Sequence, residues 1–135
     1  MKNITSDDYV AIQNLLGKYQ WLVDEGDSEG WADLWVEDGV FTGGSETRNG
    51  REELKNVPKQ VDEGFKGRLR HHIGSFHAAY GSTTDEVHVN YYNLVTTWVA
   101  TEGARFMTMA LSSIHLVRMN GAWKIRSNTT QRLLA

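Results

Sequence analysis

The chain changes its spacing near residue 68, and that change limits the folds open to it. Before it, Ile12, Leu15, Leu16, Tyr19, Leu22 and Val23 recur at intervals of three and four, the spacing that lines one face of an α-helix. After it come "RLRHHIGSFHAAY", "EVHVNYYNLVTTWVA", "ARFMTMALSSIHLVRM" and "AWKIRSNTTQRLL", period-two stretches rich in Val, Thr, Tyr and Trp that read as strands. Helices first and strands afterwards is the order of an α+β fold, with helices laid on one face of a sheet.

Local signals place the boundaries. Thr5, Ser6 and Asp7 supply N-cap chemistry for a helix over about 7–24, and Gly26 stops it. Asp27 or Ser28 caps a second, shorter helix carrying Trp31, Leu34 and Trp35 on one side. "DGVF" reads as a turn into a short strand, "TGGSETRNG" as a loop, and residues 51–63 as a weak surface helix, a lid or flap, that Pro58 opens or kinks. The joins "TEG" (101–103) and "MNG" (119–121) are tight turns, so the last three strands form an antiparallel meander. Strands this long twist and curl. The expected fold is a cone-shaped α+β barrel, a curved antiparallel sheet wrapped around the long N-terminal helix, with residues 1–135 as a single domain.

Composition excludes several classes of function. The 14 basic and 17 acidic residues leave a net charge of −3, with no run of Lys or Arg for a phosphate backbone, so nucleic acid is not an expected partner. Without cysteine there is no disulfide framework, thiolate nucleophile or sulfur metal site. The start "MKNITSDDYVAIQ" is too polar for a signal peptide, and no apolar run reaches the length of a membrane span. A cytoplasmic protein with no membrane partner is expected. There is no "GxSxG" elbow, Walker motif or glycine-rich phosphate fingerprint.

The polar residues that could carry chemistry are few. Asp24 falls near the end of the first helix on its apolar side, where a carboxylate either caps something or works on something. His71 and His72 are adjacent in a strand, so one faces each side of the sheet and only one can enter the cone. If that one meets Asp24, the carboxylate fixes its tautomer and the imidazole becomes a general base. An Asp in this place can equally accept a loop N–H, and a strand His can equally be structural. Because the two histidines diverge and no carboxylate has ligand spacing to them, no metal is expected. Trp31, Trp35, Trp98 and Phe41 could stack on an aromatic ligand or fill the core.

The run "AIQNLLGKYQWLVDEGDSEGWADLWVEDGVF", then "RHHIGS", then a Tyr- and Thr-rich meander closing in "GAWKI", resembles the SnoaL-like branch of the nuclear transport factor 2-like superfamily over nearly the whole chain. Within that branch it is similar to cofactor-free lyases, namely scytalone dehydratase, bile acid 7α-dehydratase and hexachlorocyclohexane dehydrochlorinase. The resemblance implies a catalytic pair at Asp24 and, in the family's "HxG" context, His72. It places Tyr19, five residues before the Asp, where the family keeps a group that assists the leaving atom. Asn128 stands where those lyases carry an arginine, and Arg126 is the nearest substitute, about 6–7 Å along the strand. Positions matching the dehydrochlorinase's aliphatic pocket wall read Asn93, Val95, Thr108 and Ser112, implying a wetter pocket for an oxygenated substrate.

The expectation is a cofactor-independent lyase, a dehydratase or other β-eliminating enzyme, acting on a small hydroxylated, cyclic or aromatic molecule. Asp24, His72 and Tyr19 are the candidate catalytic residues, and Asn128, Arg126, Asn93, Thr108, Ser112 and Trp35 the candidate substrate contacts. The alternatives are isomerase or polyketide-cyclase chemistry in the same pocket, or a non-catalytic binding or assembly domain. Apolar residues on the outer sheet face argue for a homo-oligomer, a dimer or trimer.

Overall fold

The computed structural model describes residues 2–133. Helix α1 (Ser6–Glu25) leads into α2 (Ser28–Ala32), followed by a hairpin of β1 (Trp35–Gly43) and β2 (Glu46–Asn49). Then come α3 (Gly50–Leu54) and α4 (Asn56–Phe65), and four long strands, β3 (Leu69–Tyr80), β4 (Glu86–Val99), β5 (Gly103–Met119) and β6 (Ala122–Arg132). They form one six-stranded sheet in the order β2-β1-β6-β5-β4-β3.

Helix α1 forms where the spacing places it. The Thr5 side chain accepts from the Asp8 N–H at its start. At its end Gly26, at φ 73°, donates to Val23 O while Asp27 N–H reaches Leu22 O, a Schellman closure that needs the left-handed conformation glycine adopts freely. Ile12, Leu16, Tyr19, Gln20, Val23 and Asp24 form its buried stripe. Asp24 is therefore on the core side by helical geometry alone. Asp27 caps α2 through the Gly30 N–H, and Pro58 occupies the first turn of α4, where a missing N–H costs nothing.

Two features depart from the sequence expectation. The sheet is mixed, because β1 pairs parallel to β6 (Phe41 beside Asn128) while the other pairings are antiparallel. The segment read as a loop after "DGVF" is the β1–β2 hairpin; β2 is largely exposed and has no apolar face to announce it.

Bulges decide which residues face the cone. In β3 the pairing shifts between Gly74 and His77, with Ser75 at φ 49°, so the inward set passes from Leu69, His71 and Ile73 to Phe76, Ala78 and Tyr80. Where β5 pairs with β6 the register shifts between His115 and Leu116, which makes Arg126 of β6 the extra residue. Trp123 and Ile125 face inward before the bulge and Asn128 after it.

The core lies between α1, α2 and the inner sheet face. Tyr19, Trp31, Trp35 and Phe41 pack ring on ring, with centroids 5.2–6.5 Å apart, a spacing that favours tilted and edge contacts. Arg51 ties α3 to the start of β1 through Trp35 O, at 2.7 and 3.2 Å.

Candidate active site

The buried stripe of α1 meets the inward residues of β3, β4 and β6 around a cavity of about 160 Å³. Tyr19 and Gln20 supply its helical wall, His71, Asn93 and Asn128 its sheet wall, and Val57 and Val61 of α4 close it from above. Through Phe41, Val57, Val61 and Thr130 it continues into an outer cleft of about 460 Å³, whose rim carries Arg48 and Arg132. Phe41 lines both spaces. Its ring folds against Gly43, where an added Cβ would come within 2.8 Å of it.

Asp24 is only 4 % exposed and grips one residue twice. Its Oδ2 accepts the backbone N–H of His71 at 2.9 Å, and its Oδ1 lies 2.5 Å from His71 Nδ1. A carboxylate accepts, so Nδ1 carries the hydrogen of the neutral ring and Nε2 keeps its lone pair. Among the described residues Nε2 has no hydrogen-bond partner, and the ring borders the cavity. This is the arrangement of a general base held by a carboxylate.

The histidine that meets Asp24 is thus His71, not His72. His72 is exposed on the other side of β3, and its Nε2 pairs with Thr96 Oγ1 at 2.8 Å. The reason is strand parity: Leu69 and Ile73, two residues either side of His71, point toward the core, and the bulge that reverses parity comes only after Gly74.

Tyr19 is buried beside the dyad on the same helical face. Its oxygen accepts Asn128 Nδ2–H at 2.7 Å, and Asn128 Oδ1 accepts from Thr130 at 3.3 Å. The phenol proton is left to donate. Burial, reinforced by nearby Tyr91, pushes the Tyr19 phenol well above its ordinary value, so the group stays neutral and acts as a donor. Asn93 is also at the cavity, its Oδ1 accepting from Gln20 Nε2 at 2.8 Å.

The remaining expected contacts fall elsewhere. Trp35 is fully buried behind Phe41 in the aromatic cluster and does not line the cavity. Thr108 and Ser112 are buried on the inner face of β5 but outside the cavity lining. Arg126 is exposed, because the bulge that turns Asn128 inward turns Arg126 out, so it does not replace the arginine missing at Asn128. Gln20, which sequence reasoning passed over, lines the cavity; its place on the stripe four residues before Asp24 was the available signal. No three His, Asp or Glu side chains among the described residues converge as metal ligands. No helix among them is long and apolar enough to cross a membrane.

Comparison with known proteins agrees with this architecture. Aln2 from a Streptomyces species superposes with a TM-score of 0.88 at 22% identity, covering 97% of this chain and 94% of its own. ActVI-ORFA from Streptomyces coelicolor gives 0.83 at 23%, covering 95% and 98%. An NTF2-like protein with a cystatin-like fold from Novosphingobium aromaticivorans gives 0.84 at 22%, covering 94% and 82%. At these identities the likeness is one of fold. No curated protein matches the chain. The family model described as the SnoaL-like domain matches residues 5–129, and the chain belongs to that family, with its cone-shaped α+β fold.

Proposed function

We propose that the protein is a cofactor-independent lyase that removes water from a small hydroxylated ring substrate, with His71 as the base. The pairing of His71 with buried Asp24 at the wall of the inner cavity carries this reading. In the reaction His71 Nε2 takes a proton from a carbon beside a carbonyl. The electron pair moves toward the carbonyl oxygen, where the Tyr19 O–H donates. The C–O bond of the neighbouring hydroxyl then breaks, and the leaving oxygen takes the proton back from the imidazolium. Substrate becomes alkene plus water with no change of redox state. Asp24 balances the imidazolium charge and fixes the tautomer that leaves the Nε2 lone pair free.

Enolate formation by the same groups also serves isomerisation or ring closure, since the Tyr19 donor suits any enolate. Mass spectrometry of products separates elimination, which loses water, from isomerisation, which keeps the substrate's mass. The test is a panel of single-ring β-hydroxy ketones with wild type, His71→Ala and His72→Ala. The expected result is a loss of about 10²–10⁴ in rate for His71→Ala and a change of no more than a few-fold for His72→Ala. Equal activity in wild type and His71→Ala overturns the proposal.

A further inference from the structure

The amide of Gln20 is a buried group at the cavity whose chemistry the reaction above leaves unused. Gln20 is 5 % exposed and sits on the helical face between Tyr19 and Asp24, one turn before the latter. Its nitrogen is committed to Asn93 Oδ1 at 2.8 Å, and Asn93 is itself buried, so the amide is held in one orientation. Its carbonyl oxygen Oε1 is buried and has no partner among the described residues. A buried carbonyl without a donor is unfavourable, and folded proteins rarely keep one without a use.

We infer that Gln20 is a specificity-determining residue whose Oε1 accepts a hydrogen bond from a free hydroxyl on the substrate ring, selecting an O–H donor over an ether or carbonyl at that position. The inference rests on the functional reading only in taking the ligand to be the substrate. The size of the cavity sets the ligand's scale. At about 160 Å³ it matches the roughly 150 Å³ cavity that holds one benzene ring, so the buried part of the ligand is monocyclic. Tyr19 donates and Gln20 accepts. A hydroxylated ring carrying a carbonyl or second oxygen satisfies both, whereas a fully methylated ring satisfies only Tyr19.

Phenol and anisole separate these contributions, because both accept from Tyr19 and only phenol donates. Their dissociation constants are read by NMR titration of 15N-labelled protein, following the amides of Tyr19, His71 and Asn128. Phenol is expected to bind about fivefold more tightly than anisole, one neutral hydrogen bond's worth. In Gln20→Met the preference is expected to vanish. The double variant Gln20→Met/Asn93→Leu removes both partners of the amide pair and gives the same readout should the single variant lose its fold. Equal binding of the two probes, no binding of phenol, a preference for anisole, or a preference that survives in the variants each overturns the inference. The titration needs no turnover, so it can fail while His71→Ala still abolishes activity, and the reverse.

Discussion

Replacing Asp24 with Asn tests the dyad without any knowledge of the substrate. In the wild type the carboxylate accepts twice from His71, once from the backbone N–H and once from the ring. An Asn side chain has one acceptor and one donor end. The backbone N–H can only donate, so the amide oxygen must face it, which leaves the NH₂ against Nδ1 and forces that nitrogen to accept. The ring hydrogen then moves to Nε2, the atom that should take the substrate's proton. Loss of the base form should lower the rate by about 10²–10⁴, as the equivalent tautomer reversal does in serine-protease triads. For stability, two charge-assisted bonds of about 1.5–3 kcal/mol each give way to two neutral bonds of about 1 kcal/mol each, partly offset because a charge is no longer buried. A net loss of about 2 kcal/mol remains, and for a chain of 135 residues it lowers Tm by about 7 °C. Long-range 15N–1H correlation on 15N-histidine-labelled protein reads the tautomer directly. The expected hydrogen is on Nδ1 in the wild type and on Nε2 in Asp24→Asn. An unchanged tautomer refutes the reasoning, whatever the activity does.

Three further outcomes follow from other contacts. Tyr19→Phe removes the donor and strands the Asn128 amide it satisfies; the rate should fall about 10²–10³ and urea unfolding should show a loss of about 1–2 kcal/mol, while an unchanged rate removes Tyr19 from the chemistry. Gly26→Ala puts a Cβ into a left-handed residue and within 2.8 Å of Asp62 Cβ on α4, so thermal unfolding should report a loss of about 1–2 kcal/mol, and a loss below about 0.5 kcal/mol contradicts the strain. Asp8 is held below its ordinary value of 3.8 by Arg118 and, more weakly, by Tyr80, against the opposing effect of burial. A depressed carboxyl stabilises the fold above its unfolded value and stops doing so as pH falls through the folded one. The stability gap between wild type and Asp8→Asn should therefore be full at neutral pH and close progressively below about pH 4; a gap independent of pH down to 2 refutes the ion-pair account.

The parts of this fold that were legible in the sequence are those governed by short-range rules. The four long strands end where the alternation ends, "TEG" and "MNG" make the turns they spell, and Gly26 closes α1 as a glycine after a periodic stretch should. The parallel pairing of β1 with β6 joins residues more than eighty positions apart, and nothing local encodes it. The hairpin strand β2 was hidden because an exposed edge carries no period-two apolar signal. Two of the misplaced site residues trace to separate causes. Arg126 was assigned by counting in twos across a bulge. His72 was assigned by alignment to a motif, although Leu69 and Ile73 already marked the odd positions of β3 as the core face. Local parity outweighed resemblance. Asp24, Tyr19 and Asn93 were legible because an unbroken helical face or strand carries them inward.

The bond from Asp24 Oδ2 to the His71 backbone has a meaning apart from chemistry. Strand β3 is an outer edge of the sheet, and such an edge presents unpaired N–H groups on which another chain can build a strand. The carboxylate occupies one of those groups from within the same molecule. Asp24 thus keeps that N–H paired within the molecule at the point where the edge passes the end of α1. Losing it to Ala would disable the proposed base and open a templating position together, whereas Asn would disable the base and keep the edge closed. The two substitutions should part company in storage rather than in assay: the alanine protein would gather slowly into β-rich aggregates, and the asparagine protein would remain dispersed.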